Sequence, residues 1–248
     1  LLIKGQFIFN IVIKSMIKKA MILAAGFGKR LQPLTLDCPK PLLKIGNKTL
    51  LYNTLMFLKS IGIKKVIINT HYLKEQIIDY IKKNKFNLNI SIVEEKDKIL
   101  DTGGGILNAI DYFSGKPFII INPDTLWNFH YLKQFKFLEK VFFENRSDCT
   151  LLIVNKKKSF DKSIKGDFNL KGNLVERKNK ESLNYIYTGL QIMNPNIFSD
   201  ITEKVFSINK IWNKLIVNKK LHSFESKVNF KHVSNLGVYK KLLKEFKN

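Results

Sequence analysis

Short apolar runs alternate with stretches of helical periodicity through the first 150 residues. Apolar residues recur at helical spacing over 49–60 and 73–83, and a further helix opens at the glycines of 103–105. Between them lie runs rich in β-branched and aliphatic residues, which predict strands at Met21–Ala25, Lys65–Asn69, 89–94 and 118–122. Strands that alternate with helices indicate βαβ units, so we predict an α/β domain with a mostly parallel sheet.

The pattern changes beyond residue 150. Strand-like pieces come first, at Thr150–Val154, Phe168–Leu174 and Tyr185–Met193, and helical pieces follow at 208–217 and 236–247. We expect this half either to complete the same sheet or to form a small β lobe over its edge. No internal repeat or low-complexity linker interrupts it, so residues 16–248 are predicted to form a single domain.

The first 15 residues are predicted to be a non-essential N-terminal extension. The apolar run from Phe7 to Ile13 is too short to cross a bilayer, and no small-residue cleavage site follows it. Met16 and Met21 stand immediately before the first strong strand.

Composition and charge narrow the classes of function. The chain has 248 residues and a hydrophobic fraction of 45%, with no apolar run of 18 residues, so one sizeable core is expected and a membrane partner is not. Cys38 and Cys149 are the two cysteines and stand far apart, which excludes a disulfide framework and favours a cytoplasmic location.

The net charge of +23 raises the alternative of a nucleic-acid binder. Only three of the 43 basic residues are arginine, and the lysines are scattered instead of clustered with aromatic residues. We interpret them as a solvated surface that also attracts anionic substrates such as nucleoside triphosphates, and we expect no nucleic-acid partner.

A glycine-rich and proline-rich stretch follows the first strand and carries the clearest chemistry. It reads L-A-A-G-F-G-K-R-L-Q-P-L-T over residues 23–35 and P-K-P-L over 39–42. A glycine-rich turn after a strand lets backbone N–H groups face a phosphate. A dinucleotide fingerprint would need glycine at Leu31, and a P-loop would need glycine at Leu23 and Ser or Thr at Arg30, so both classes are excluded.

The same stretch also carries several basic residues close to its glycines. Lys29 and Arg30 follow the glycines, and Lys40 stands between Pro39 and Pro41. Prolines fix their own φ and bias the preceding residue toward extended backbone, so we expect Lys40 to be held on a stiff, extended segment.

This stretch resembles the signature of the sugar-1-phosphate nucleotidylyltransferases. The resemblance extends over roughly residues 18–235, and its further matching stretches are V-I-I-N-T-H-Y-L with Q-I at 66–77, D-T-G-G-G-I at 101–106, N-P-D at 122–124, G-D-F at 166–168 and Y-T-G-L-Q-I at 187–192. It implies a Rossmann-like mixed sheet of the nucleotide-diphospho-sugar transferase type. It also implies an enzyme that joins a nucleoside triphosphate to a sugar 1-phosphate and releases pyrophosphate with Mg²⁺.

The resemblance implies roles for individual residues. Arg30 would contact the β- and γ-phosphates, Lys40 the α-phosphate, and Asp124 would bind Mg²⁺. The residues implied to contact the nucleotide and the sugar are Leu23, Ala25, Gly26, Gly28, Thr102, Gly103, Asn122, Gly166, Asp167 and Gly189. Arg177 is implied as a sugar-phosphate clamp, with an ordinary surface cation as the alternative; for Asp167 the alternative is a turn residue.

One segment departs from the family pattern. Members usually carry a second metal-binding aspartate near the C-terminus, whereas the segment F-K-H-V-S-N-L-G at 230–237 has no carboxylate. We align His232 with the missing aspartate, since Phe230 then takes the aromatic position, and keep Asn235 as the alternative. The missing carboxylate also leaves open a degenerate regulatory binder of nucleotide sugars.

Two polar pairs have competing interpretations. Asn69 and His71, at a strand's end, are either satisfied structural groups or substrate contacts. Glu94 and Glu95 are neighbours on a strand and should face opposite sides, which argues against paired acid/base catalysis. For substrates, the resemblance points first to UTP with N-acetylmuramate 1-phosphate and second to GTP with mannose 1-phosphate.

Overall fold

The computed structural model describes residues 2–3, 6–7, 14–177 and 183–246. Its strands, numbered in chain order, are β1 Leu2–Ile3, β2 Gln6–Phe7, β3 Lys19–Leu23, β4 Lys44–Ile45, β5 Lys48–Thr49, β6 Lys65–Thr70, β7 Asn89–Glu94, β8 Phe118–Ile121, β9 Cys149–Asn155, β10 Asn169–Lys171, β11 Leu174–Glu176, β12 Tyr185–Met193 and β13 Leu221–Ser226. The α-helices are α1 Leu50–Ser60, α2 Lys74–Lys83, α3 Asp101–Asn108, α4 His130–Glu144, α5 Asn209–Val217 and α6 Leu236–Glu245.

A nine-stranded mixed sheet forms the centre of the described structure, in the order β10-β11-β13-β9-β12-β8-β3-β6-β7. Strands β8, β3, β6 and β7 run parallel to one another, and β12 is antiparallel to both of its neighbours, β8 and β9. The predicted α/β class with a mostly parallel sheet is confirmed, and the second half of the chain completes the same sheet.

Alternating side chains of the central strands supply two apolar layers, one on each face of the sheet. In β3, Ala20 and Ile22 join one layer while Met21 joins the other, as the two-residue period of a strand requires. Helices α1 and α4 cover the first layer and α3 and α5 the second. Each fully buried aliphatic or aromatic side chain contributes on the order of 1.5–3 kcal/mol by leaving water.

Two helices begin at residues whose side chains cap the first backbone N–H groups. The Thr49 side chain accepts a hydrogen bond from the Tyr52 backbone N–H and begins α1. Asn235 does the same for α6 by accepting from the Val238 N–H. Helix α6 then packs through Val238 and Leu242 on the chain that follows the glycine-rich loop.

Several expected elements differ from the structure. The single strand predicted over Phe168–Leu174 is wrong, because the chain turns at Gly172, whose φ is +61°, and forms the β10-β11 hairpin. We did not predict α4 or β13. The strand predicted at Met21–Ala25 is β3, which begins and ends two residues earlier. Helix α4 packs on one face of the sheet through apolar residues at helical spacing, among them Leu132, Phe135 and Leu138.

The segment before β3 is attached to the domain at Ser15. Ser15 is buried; its hydroxyl donates to the Glu139 carboxylate, and the backbone N–H of Met16 donates to the same oxygen at 3.0 Å. Within the described residues, no helix is both long and apolar enough to span a bilayer.

Candidate active site

A cleft of about 400 Å³ opens at the carboxyl ends of the parallel strands, where ligands bind in α/β proteins. Its lining residues are Leu23, Ala24, Ala25, Gly26, Gly28, Lys29, Arg30, Leu31, Lys40, Pro41, Asn69, Glu95, Ile99, Asp101, Thr102, Asn122, Pro123, Asp124 and Ser234. The fold thus brings together the glycine-rich loop, the P-K-P turn and the N-P-D segment in one cleft.

The glycine-rich loop keeps one side of the cleft open. A side chain on Gly26 would meet no atom within 4 Å, so this position leaves space for a ligand. Gly28 has a φ of +66°, and a Cβ there would lie 3.0 Å from Cγ2 of Thr35. Arg30 follows in a short 3-10 turn and is exposed to solvent at the cleft. Its donors are therefore free to meet an anion that enters from outside.

Lys40 lies deeper in the same cleft. Pro39 is extended, but Lys40 begins a 3-10 turn over Lys40–Leu42, so the expected extended backbone at Lys40 is wrong. The turn closes through the Leu43 N–H, which donates to the Lys40 carbonyl at 3.1 Å. The lysine side chain is 16% exposed, and its Nζ lies 2.5 Å from Asp124 Oδ2. The 3-10 turn therefore holds the backbone of Lys40 in place of the expected extended segment.

Asp124 is the carboxylate at the centre of the site. Burial alone raises its pKa, but the Lys40 ammonium and the His232 ring outweigh burial and hold the pKa of Asp124 well below its usual range. The group is therefore an anion throughout the neutral pH range. An ionised, largely buried carboxylate in such a cleft has the chemistry of a cation site.

His232 reaches Asp124 through a strand-like contact outside the main sheet. Thr125 and His232 form an antiparallel bridge, in which the Val233 N–H donates to the Asp124 carbonyl at 2.8 Å. This places His232 Nε2 at 3.5 Å from Asp124 Oδ2, with the imidazole stacked on the Phe230 ring. The side chain of the alternative residue, Asn235, is used to cap α6.

The three glycines of the D-T-G-G-G-I stretch serve close packing. A Cβ on Gly103 would come within 2.3 Å of the Phe206 ring, and one on Gly104 within 2.2 Å of the Lys204 carbonyl. The Gly103 N–H itself donates to the Phe206 carbonyl at 2.9 Å, and Thr102 Oγ1 accepts from the Ile208 N–H. Of the predicted pair, Thr102 lines the cleft, whereas Gly103 lies behind it.

The predicted sugar-side residues Gly166, Asp167 and Gly189 lie outside the residues that line the cleft. Burial raises the pKa of Asp167, and its Oδ2 accepts from the Tyr187 N–H at 2.9 Å. Gly189 has a φ of +91°, and a Cβ there would lie 2.9 Å from that of Asn122. This close approach ties β12 to the N-P-D segment.

Arg177 is held against α5. Its two terminal nitrogens donate to Asn213 and Asn209 at 2.6 and 2.5 Å, and its guanidinium lies 4.6 Å from the Phe168 ring centroid. Burial lowers the pKa of Arg177, and the nearby Asp167 carboxyl acts in the opposite direction. The side chain is thus built into the structure and is no free surface cation.

Glu95 lines the cleft although the sequence analysis gave it no role there. The prediction that Glu94 and Glu95 face opposite sides holds, because Glu94 pairs with Lys74 at the surface while Glu95 is buried. A carboxylate directly after the end of a parallel strand was the available signal. Asn69 lines the cleft beside it.

The donor set was compared with what a divalent cation requires. Among residues 14–177 and 183–246, no cluster of three or more His, Cys, Asp or Glu side chains is arranged to hold a metal ion. Mg²⁺, however, commonly takes one or two protein carboxylates and completes its shell with water and substrate phosphates. Asp124 fits that pattern as the single carboxylate, and His232 beside it offers a nitrogen in place of a second one.

Fold and site together define a phosphate-handling α/β enzyme, with its cations on a glycine-rich loop and its carboxylate at a strand end. The sequence matches the nucleotidyl transferase family over residues 19–228. The chain therefore belongs to that family, and the predicted membership of its sugar-1-phosphate branch is confirmed.

Curated relatives cover most of the chain. It is 34% identical over 185 residues to the N-acetylmuramate alpha-1-phosphate uridylyltransferase of Neisseria meningitidis, which matches 74% of this chain and 78% of that protein. The enzyme of the same name from Caulobacter vibrioides is 29% identical over 203 residues, covering 80% and 84%. The mannose-1-phosphate guanyltransferase of Schizosaccharomyces pombe is 27% identical over 216 residues, covering 84% of this chain and 58% of that protein.

Solved structures share the fold. HddC from Yersinia pseudotuberculosis superimposes with a TM-score of 0.71 at 26% identity, covering 93% of this chain and all of the other. The inositol-1-phosphate CTP transferase from T. maritima has a TM-score of 0.77 at 17% identity, covering 95% and 98%.

Proposed function

We propose that this sugar-1-phosphate nucleotidyltransferase uses UTP and N-acetylmuramate 1-phosphate. The observation that carries the chemistry is the Lys40–Asp124 pair at 2.5 Å, placed in a cleft whose glycine loop leaves room for a nucleotide. The choice of substrates draws on the uridylyltransferase relatives, which are 34% and 29% identical and are matched over 78% and 84% of their length. Guanylyltransferase relatives at 27% and 30% identity are matched over 58% and 54% of theirs. GTP with mannose 1-phosphate is the second candidate.

In this proposal the reaction brings two anions together. An oxygen of the sugar phosphate attacks the α-phosphorus of the triphosphate, and the bond from that phosphorus to the bridging oxygen of the β-phosphate breaks, which releases pyrophosphate. Mutual repulsion is the obstacle, so positioning and neutralisation supply most of the catalysis.

Arg30 and Lys40 provide the neutralisation. Arg30, exposed at the cleft, binds the β- and γ-phosphates through its planar donors. Lys40, deeper in the cleft, meets the α-phosphate and the charge that develops on it. Asp124 with His232 would hold Mg²⁺, which supplies charge stabilisation at the phosphate oxygens when bound.

The acceptor binds on the side of Asp167 and Arg177. Asp167 contacts β12 at Tyr187, and β12 contacts the N-P-D segment at Gly189, so in this proposal a sugar phosphate held by Asp167 lies on the β12 side of the N-P-D segment. Arg177 is the sugar-phosphate clamp in this proposal, and its two asparagine contacts hold the guanidinium in place.

A pyrophosphate-release screen tests the assignment. The four common nucleoside triphosphates are combined with a panel of sugar 1-phosphates in the presence of Mg²⁺. The proposal expects the highest kcat/KM for UTP with N-acetylmuramate 1-phosphate. A higher value for GTP with mannose 1-phosphate would establish the second candidate, and nucleotide-sugar binding without turnover would indicate a regulatory binder.

A further inference from the structure

We propose that Asn69 is a positioning residue that fixes the two walls of the nucleotide cleft relative to each other, without touching the substrate. The proposal rests on the nucleotidyltransferase function of the cleft. It concerns a chain of buried hydrogen bonds that runs from the glycine-rich loop, through Asn69 and Glu95, to the segment before α3.

The contacts of this chain are direct. Asn69 Oδ1 accepts from the Ala24 N–H at 2.8 Å, and Asn69 Nδ2 donates to Glu95 Oε1 at 2.7 Å. Glu95 Oε2 accepts from the Leu100 N–H at 2.7 Å. Asn69 is 3% exposed and Glu95 2%, so water does not compete for these bonds.

The two ends of the chain belong to opposite sides of the cleft. Ala24 begins the glycine-rich loop, while Leu100 directly precedes α3 and the cleft residues Asp101 and Thr102. Asn69 lies between them at the end of β6. A shift of the amide would therefore change the separation of the two walls.

Gly105 shows how closely the structure is built around this pair. A Cβ at residue 105 would lie 2.6 Å from Glu95 Oε1 and 2.9 Å from Asn69 Nδ2. Any larger residue would push the carboxylate and amide out of register. The third glycine of the D-T-G-G-G-I stretch thus serves the hydrogen-bonded pair, whereas Gly103 and Gly104 serve packing against residues 204–206.

The residues after Asn69 hold the outer side of the same loop. The Tyr72 hydroxyl donates to the Leu36 carbonyl at 2.7 Å, and Gln76 Nε2 donates to the Asp37 carbonyl at 2.8 Å. The segment 69–76 therefore contacts the glycine-rich and proline-rich stretch at its start, through Ala24, and near its middle, at Leu36 and Asp37. Asn69 and Gln76, the first and last residues of the matching N-x-H-x-L-x-x-Q pattern, thus both have structural partners in this stretch.

An amide is required at residue 69 because its two partners have opposite needs. The Ala24 N–H needs an acceptor, whereas the Glu95 carboxylate needs a donor. Asn69→Asp keeps the first bond and sets two carboxylates against each other. Glu95→Gln can satisfy only one of its two donors, Asn69 Nδ2 or the Leu100 N–H. The double variant restores every bond, since the introduced glutamine donates to the introduced aspartate and accepts from Leu100.

The test exchanges the amide and the carboxylate between residues 69 and 95. Asn69→Asp, Glu95→Gln and the double variant are compared with the wild-type chain by calorimetric Kd for UTP and GTP, KM for each substrate, and kcat. We expect each single variant to weaken binding of the nucleotide by about tenfold or more, as for a lost hydrogen bond to a buried charged group. The double variant should recover to within about threefold of wild type, and KM for the sugar 1-phosphate should stay within about twofold throughout.

Glu139→Gln is the matched control, because Glu139 is also a buried carboxylate that accepts bonds from Ser15 and Met16, away from the cleft. It should lower the thermal midpoint and leave the Kd of the nucleotide unchanged. A double variant that binds no better than the weaker single variant would overturn the proposal, as would an equal loss in the control. Nucleotide Kd is measured without turnover, so absence of pyrophosphate release in the wild type would count against the proposed substrates and leave this test intact.

Discussion

Lys40 Nζ and Asp124 Oδ2 lie 2.5 Å apart although 84 residues separate them in the chain. A 3-10 turn places the lysine and the end of β8 places the carboxylate, so two rigid elements define the distance. In the proposed reaction, the pair sets a cation that meets phosphate beside an anion that holds the metal. The first two predictions separate their contributions.

Asp124→Asn should abolish turnover while leaving the fold intact. The amide removes the ionised carboxylate from the cleft and adds no volume. Pyrophosphate release at matched Mg²⁺ measures the effect, and circular dichroism checks the fold. Activity within about tenfold of wild type would remove Asp124 from the metal site.

Lys40→Met should lower kcat by at least about 100-fold, which corresponds to about 2.7 kcal/mol of transition-state stabilisation. Methionine keeps the length of the side chain and removes the charge. Lys44→Met, at an exposed lysine four residues on, serves as the control and should leave kcat unchanged. A change confined to KM would show that Lys40 assists binding alone.

His232→Asp should strengthen Mg²⁺ binding, because a carboxylate oxygen is a harder ligand than imidazole, and should lower the ratio of Mn²⁺- to Mg²⁺-supported activity. Asn235→Ala is the comparison: it removes the cap of α6, should cost about 1 kcal/mol of stability, and should leave the metal preference unchanged. If His232→Ala alters neither the metal requirement nor the ratio, His232 is no ligand.

Stability should fall between pH 7.5 and 5.5 in part through His222. Burial lowers the pKa of this histidine in the folded state, and Ser147 Oγ lies 2.9 Å from its Nδ1. The unfolded chain binds the proton more readily, so its stabilising contribution is present above the ordinary pKa of 6.5 and is lost as pH falls. His222→Gln should therefore lose less thermal midpoint over this range than wild type. Equal losses in both chains would contradict the assignment.

A chain that starts at Lys14 should match the full chain in thermal midpoint and activity, since every cleft-lining residue lies at Leu23 or beyond. Ser15→Ala should lower the stability by about 1 kcal/mol, because it leaves part of the Glu139 carboxylate without its donor. KM for both substrates should not change. A loss of activity in the Lys14 chain would show that the preceding residues contribute to the domain.

The sequence predicted the parallel half of the sheet well because buried parallel strands are continuous apolar runs and the helices between them keep their period. Strand β7 and the end of α1 fall on the predicted residues, for example. Helix α4 was not predicted although its sequence carries the signal: Tyr131, Leu132, Phe135, Leu138 and Phe142 are buried at helical spacing, and its lysines lie on the opposite, exposed face. The hairpin at Gly172 was hidden because a single glycine does not distinguish a turn from a strand interior.

For the candidate site, the motif residues that the structure gathers were those with unusual local chemistry, such as Lys40 between two prolines. The sequence predicted no role for Glu95 in the cleft and left Asn69 between a structural role and a substrate contact, because each is an ordinary polar residue at a strand end. Their structural role depends on contacts between residues that are far apart in the chain. Gly105, ten residues after Glu95, must lack a side chain to leave room for both of them. Pairings of this kind are set by topology and carry no local pattern.

Strand β12 lies between the block β8-β3-β6-β7 and the block β10-β11-β13-β9 of the sheet. This division affects how enzymes of this fold can exchange segments by recombination. Of the residues that line the nucleotide cleft, all but Ser234 occur at or before Asp124, whereas Asp167 and Arg177 come from the block beyond α4. If Asp167 and Arg177 bind the acceptor as proposed, recombination within the turn at 145–148 would exchange the acceptor residues of one parent for those of another, together with His232 and Ser234. The offspring would keep most of the nucleotide cleft of the first parent and take the sugar-binding residues of the second.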